Sequence, residues 1–188
     1  MRYAGIRDFD IADGPGVRVA LFVSGCRNKC PGCFNRDAQE FDYGLAFTRE
    51  AANALLHTLG RPEIRGLTVL GGEPLEPENQ PQVLELLKHA KKTYPEKDIW
   101  LYTGLVYEDL VSGISRVETP CLDPILGLVD VLVDGPFLKE QADATLAFCG
   151  SKNQRLIDLA KMRETGTDQP IAWSDGRDTA GHDPMTGR

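Results

Sequence analysis

Three cysteines fall within eight positions of the chain: Cys26, Cys30 and Cys33 in SGCRNKCPGCFN (24–35). Thiolates spaced C-x3-C-x2-C can gather on metal. Pro31 and Gly32 turn the chain so that Cys30 and Cys33 face one centre, while Cys26 approaches from the end of the preceding segment. A structural zinc closes its shell with four ligands. The fourth would have to be His57, His89, His182 or a lone cysteine, and none of these has paired spacing. An electron-transfer iron–sulfur cluster also takes four cysteines. Three thiolates on a four-iron cluster leave one iron open to a substrate, as a catalytic metal site requires. A purely structural loop is the remaining alternative. A second stretch suited to a ligand is GGEP (71–74), where Gly71 and Gly72, without Cβ, permit close backbone approach and positive φ.

Both stretches need elements to hold them. VRVALFVS (17–24) is apolar and β-branched, a buried strand delivering the cysteine loop at its C-terminal end. LTVL (67–70) is a second, running into GGEP, and DIWLYTG (98–104) and VDVLVDG (129–135) are a third and fourth. Between them, 48–60 is a helix with Thr48 as N-cap, Glu50 in its first turn and Gly60 at its end. Another helix spans about 81–94, with Pro81 in its first turn, and weaker helical stretches cover 106–112 and 123–128. Strands alternating with helices give parallel β-α units and an α/β fold. In such folds chemistry gathers at the C-terminal ends of the strands, where both unusual loops fall. The polar, Gly- and Asp-rich stretch 166–188 lacks periodicity and reads as a flexible tail behind a domain of residues 1–165.

A chain of 188 residues supports one globular domain. Its net charge of −7 argues against a nucleic-acid or anionic-membrane surface. No apolar run approaches the roughly 20 residues of a membrane span, and the N-terminal residues do not read as a secretion signal. A cytoplasmic location is expected, where thiols stay reduced and clustered cysteines serve as ligands or catalysts rather than disulfides. The total of five cysteines is odd; Cys121 and Cys149 read as ordinary buried thiols.

CRNKCPGC followed by GGEP resembles the radical S-adenosylmethionine (radical SAM) superfamily. The resemblance implies a 4Fe–4S cluster held by Cys26, Cys30 and Cys33, with SAM chelated at the free iron. It implies SAM contacts from Gly32, Cys33, Phe34, Gly71, Gly72 and Glu73, and a small incomplete (β/α) barrel of mainly parallel strands. DGPGVR (13–18) looks like the signature of glycyl-radical-enzyme activases. With FVSGC, CPGCFN, DIWLYTG, VLVDGPF and GSKNQR it is most similar to the activators of anaerobic (class III) ribonucleotide reductases, over about residues 1–160. Superfamily members usually place an aromatic before the third cysteine; here that position is Gly32 and the aromatic is Phe34, a shift the reductase activators share. Cys149 stands where the family usually has arginine, and the 166–188 stretch has no recognised counterpart.

The resemblance implies a sequence of events. A low-potential donor such as flavodoxin reduces the cluster; iron–sulfur potentials span roughly −700 to +450 mV. SAM is cleaved to methionine and a 5′-deoxyadenosyl radical, which takes a hydrogen atom from a glycine Cα in a loop of the reductase large subunit. The chain supplies position and exclusion of water and oxygen, and no acid–base set is needed. Rival readings are an activase of the pyruvate formate-lyase type, a radical SAM enzyme acting on a small molecule, and a non-catalytic metal-binding module. Among single residues, Asp134 reads either as a cation-binding acid or as a solvated strand-end carboxylate. Arg18 is a strand-edge charge or a carboxylate contact. Asn153 and Gln154 are SAM contacts or, for Asn153, a cap before QRLIDLAK. Trp100 and Trp173 read as core and tail residues.

Overall fold

The computed structural model describes residues 1–175. Strand β2 (Arg18–Val23) pairs in parallel with β4 (Gly66–Gly71), β4 with β5 (Asp98–Tyr102), and β5 with β6 (Val131–Asp134). Antiparallel strands flank these four. β1 (Arg2–Asp10) lies against β2 and carries the two-residue β3 (Leu45–Ala46), and β7 (Arg155–Asp158) pairs with β6. The result is a mixed α/β fold on a seven-stranded sheet ordered β3-β1-β2-β4-β5-β6-β7.

Side chains alternate between the two faces of the sheet, as the period of a strand requires. Val19, Leu21 and Val23 of β2, Leu67 and Val69 of β4, Ile99 and Leu101 of β5, and Leu132 of β6 join one core. That core is closed by helices α1 (Arg49–Leu59), α2 (Gln80–Thr93) and α4 (Leu122–Leu128), through Leu55, Val83, Leu87, Ile125 and their neighbours. A short α3 (Tyr107–Leu110) and α5 (Leu159–Thr165) add Leu110 and Met162. α1 starts as its sequence dictates: the Thr48 hydroxyl accepts from the Ala51 N–H at 3.3 Å. The alternate residues face the other way. Trp100, Val131 and Val133 form a second cluster, against which Tyr102, Phe148, Leu156 and Trp173 pack.

The four buried strands expected from sequence are present, with ends within two residues of expectation. β1, β3 and β7 were not expected, and α5 begins later in QRLIDLAK than a cap at Asn153 would place it. The cap in QRLIDLAK is Asp158, whose carboxylate accepts from the Lys161 N–H at 2.8 Å; Asn153 caps nothing, because 155–158 is strand. Residues at the start of the expected tail are attached to the sheet. The Asp158 N–H donates to the Ile171 carbonyl at 2.8 Å, the Trp173 N–H to that of Leu156 at 2.9 Å, and the Trp173 ring meets Trp100 edge-on at 4.9 Å. The remainder of that expectation, with His182, lies outside the described residues. Among the described residues, no helix is long and apolar enough to cross a membrane.

Candidate functional site

The sheet face without helices opens, at the C-terminal ends of the parallel strands, into a cavity of about 420 Å³. That volume falls in the range of small-molecule sites. Cys26, Cys30, Cys33 and Phe34 line it from the loop after β2, Gly71 and Gly72 from the end of β4, Tyr102 to Gly104 from the end of β5, and Gly135 from the end of β6. The floor is Phe22, Leu70 and Tyr102, the strand residues that alternate with the helix-facing core. Arg7 and Asp13 close one side; Phe137, Phe148, Cys149 and Gln154 close another.

The cysteine loop is fastened at its base. The Gly25 and Cys26 N–H groups donate to the carbonyls of Ala38 and Gln39 at 2.8 and 2.9 Å, and the Cys33 N–H returns to the Cys30 carbonyl at 3.2 Å. All five cysteines are free thiols. Burial pushes the Cys26 thiol up to about 11, helped by the charge of Glu73 and opposed by backbone N–H groups that follow it. Burial likewise raises Cys30, opposed by the Phe137 N–H and helped by Cys33, which is near enough to repel it as a thiolate. A coordinating metal centre reverses this, because bound thiols deprotonate. Among the described residues, no three His, Cys, Asp or Glu side chains surround a single-ion position. A cube spreads its ligands over several irons and needs no such convergence. Among the described residues, His57 and His89, candidate fourth ligands for zinc, are exposed on α1 and α2, and of these candidates only Cys149 lines the cavity.

GGEP serves the site differently from expectation. Gly71 has φ of +108°, and a Cβ there would lie 2.7 Å from the Val23 carbonyl oxygen; at Gly72 it would lie 2.7 Å from those of Ala38 and Gly25. The glycines let β4 close against the base of the cysteine loop, besides lining the cavity. Glu73 is fully buried behind the cavity wall. Its carboxylate accepts from the Leu75 N–H at 3.1 Å, the Thr103 hydroxyl at 2.9 Å, the Gly104 N–H at 2.9 Å and the Asn28 amide at 3.0 Å. It therefore ties the cysteine loop to the end of β5. Burial raises its pKa, against those donors. Sequence reasoning missed Glu76 and Asn79, both buried. Glu76 accepts from the Arg27 N–H at 2.8 Å and pairs with the guanidinium groups of Arg27 and Arg116 at 2.6 and 2.9 Å. The Asn79 amide donates to the Ser24 and Glu73 carbonyls at 3.0 Å. A buried carboxylate or amide looks in sequence like any surface one.

DGPGVR is held from below by Arg18, which is fully buried and pairs with Asp98 at 2.6 Å. Its Nε donates to the Thr68 hydroxyl at 2.7 Å, and that hydroxyl donates to the Asp13 carbonyl at 2.8 Å. Arg18 is thus the carboxylate contact rather than the strand-edge charge. Asp134 is neither solvated nor free: it is buried, pairs with Arg155 at 2.5 Å and accepts from the Tyr107 N–H at 2.8 Å. Asn153 donates to the Pro136 carbonyl at 2.7 Å. Gln154 bridges the Gly135 carbonyl and the Gly150 N–H at 3.2 and 2.8 Å while lining the cavity. Phe34 is 81% exposed and rests on Phe137, with ring centroids 5.2 Å apart. Gly32 lies on the exposed side of the loop, against Lys139. Burial, with Asp134 nearby, pushes the Cys149 thiol up to about 11 and keeps it neutral.

Residues 12–157 match the family model described as a 4Fe-4S single cluster domain, which supports an iron–sulfur cluster in this protein. Three relatives carry the name anaerobic ribonucleoside-triphosphate reductase-activating protein. That of Enterobacteria phage T4 is 41% identical over 83% of this chain and 93% of its own length. Those of Vibrio cholerae and Escherichia coli K12 are 38% and 36% identical over 82% of this chain and 96% of theirs. The chain belongs to the family of anaerobic ribonucleoside-triphosphate reductase-activating proteins.

Proposed function

We propose that this chain activates an anaerobic ribonucleotide reductase by generating a glycyl radical on it, using a 4Fe–4S cluster and SAM. The observation that carries the reading is the meeting of Cys26, Cys30 and Cys33 with Gly71 and Gly72 on one ligand-sized cavity. The donor set fits a cluster: three free thiols from one loop, all lining the same cavity. When bound, the cluster supplies the electron that cleaves SAM, yielding the 5′-deoxyadenosyl radical that removes a glycine Cα hydrogen from the reductase.

The chain's own residues position and enclose. Cys26, Cys30 and Cys33 hold the cluster. The backbone of Gly71 and Gly72 borders the place where the methionine end of SAM would lie. Phe34, backed by Phe137, offers an apolar flat surface to adenine. Glu73 acts through Asn28 and Gly104, fixing the loop rather than touching the ligand. The sheet supports an incomplete (β/α) barrel. Its parallel strands run in sequential order β2-β4-β5-β6, their helices share one face, and β3 and β7 remain at separate edges. An open barrel leaves a way in for the reductase glycine.

The test mixes reduced protein, SAM and the anaerobic reductase without oxygen, and records EPR spectra. The reading expects a glycyl radical doublet on the reductase with equivalent 5′-deoxyadenosine. No doublet, with SAM cleaved only when a small metabolite is added, would replace it with a small-molecule enzyme.

A further inference from the structure

Two partners must reach one cluster: the reductase glycine through the cavity, and the reductant by some other route. We propose that the outer side of the cysteine loop, carrying Lys29, Arg36 and Lys139, is the docking surface for an acidic one-electron carrier protein. This rests on the cluster reading above. Electron transfer weakens steeply with distance, so the carrier must dock where the ligating sulfurs come nearest the surface. Cys26 is buried, whereas Cys30 and Cys33 are only partly buried, and Pro31 and Gly32 between them are exposed. The turn therefore shows one side to the cavity and the other to solvent.

The charges there are unlike those elsewhere round the site. The other cations nearby have partners: Arg7 has Asp10, Arg18 has Asp98, Arg27 has Glu76 and Glu78, Arg116 has Glu76, and Arg155 has Asp134. Lys29, directly before Cys30, is exposed and makes no ion pair among the described residues. The same holds for Arg36, just after the loop, and for Lys139, whose chain lies against the turn; a Cβ at Gly32 would be 3.3 Å from Lys139 Cδ. Asp37 and Glu140 adjoin Arg36 and Lys139, but residues 24–36 contain no acid. On a chain of net charge −7, an acidic carrier is repelled on average and is drawn to this turn. One electron passes from the carrier to the cluster; no bond forms or breaks, and the cavity stays free for SAM and the glycine.

The experiment uses anaerobically reconstituted protein with flavodoxin as the probe. Binding of oxidised flavodoxin is measured by fluorescence anisotropy, and cluster reduction by photoreduced flavodoxin by stopped-flow absorbance, at low and high salt. The variants are Lys29→Glu with Arg36→Glu and Lys139→Glu, the milder Gln set, and a control set on the helix layer, Arg49→Glu with Lys88→Glu and Lys92→Glu. The Glu set should weaken binding and slow reduction at least about tenfold at low salt and lose most of the salt dependence. The Gln set should fall between, the control set should match wild type, and dithionite should reduce every variant alike. Wild-type binding and reduction by flavodoxin in the Glu set would overturn the docking surface and leave the cluster reading standing. A wild-type protein that takes up no iron would overturn the cluster reading, and this proposal with it.

Discussion

The two faces of the parallel strands differ in kind. Toward the helices, β2, β4, β5 and β6 present Val19, Leu21, Leu67, Val69, Ile99, Leu101 and Leu132, all essentially without solvent contact. Toward the other side the same strands present Arg18, Phe22, Thr68, Leu70, Trp100 and Tyr102, among which buried polar groups are paired and a cavity remains. One face is filled by aliphatic packing, and the other is kept partly empty and held in shape by hydrogen bonds. The packed core and the cavity are thereby lined by alternate residues of the same strands.

Substitutions on the two sides should separate accordingly. Cys30→Ala, on the cavity side, should abolish the brown cluster chromophore on reconstitution while leaving far-UV circular dichroism and the urea midpoint near wild type. An intact chromophore would break the distinction. Leu101→Ala, on the helix side, should cost about 2–5 kcal/mol in urea unfolding through the cavity it leaves. Whatever fraction remains folded should still take up iron. Arg18→Met removes the bonds to Thr68 and the Asp98 pair from beneath DGPG. Asp98 keeps Arg65 at 3.2 Å, so the cost should be roughly 2 kcal/mol, with faster amide exchange over residues 11–16.

The smallest effect concerns pH. Burial, and next the charge of Asp10, raise the half-buried Asp13 carboxyl from 3.8 to about 6. Its folded pKa lies above its unfolded one, so the folded state holds the proton more tightly. The stabilisation is complete below about pH 4 and is lost as pH rises through 6. Asp13→Asn should therefore match wild type at low pH and gain stability above pH 6. Solvent access keeps the gain under about 1 kcal/mol. Parallel stability curves for the two proteins would refute the assignment.

How much of this was legible in sequence follows from which face a residue occupies. VALFV, LTVL, IWL and VLV are near-continuous apolar runs, because strands covered on both sides need them, and each was read as a strand. β1, RYAGIRDFD, carries four charges because it lies toward the sheet's edge, and it was missed. β7 is four residues long and shares its leucine and isoleucine with a helix-like pattern. The three cysteines stand out by their spacing, and Phe34, Gly71 and Gly72 by the family resemblance; all six line the cavity. Glu73 was found too, yet faces away from it, since motif position carries no information on side-chain direction. Arg7, Tyr102 and Phe137 reach the cavity from distant segments, which only sheet register brings together. GGEP reads in sequence as a place of close approach to a ligand; the close approach present in the structure is of Gly71 and Gly72 to the protein's own backbone.

The central claim is that three thiols hold a four-iron cube and leave one corner for SAM. Its most direct test is the EPR spectrum of the reconstituted, reduced protein before and after SAM is added, with iron and sulfide assayed on the same sample. The account predicts about four irons per chain and a reduced-cluster signal whose g-values shift when SAM binds. A protein that holds only zinc, or a cluster signal indifferent to SAM, would contradict it.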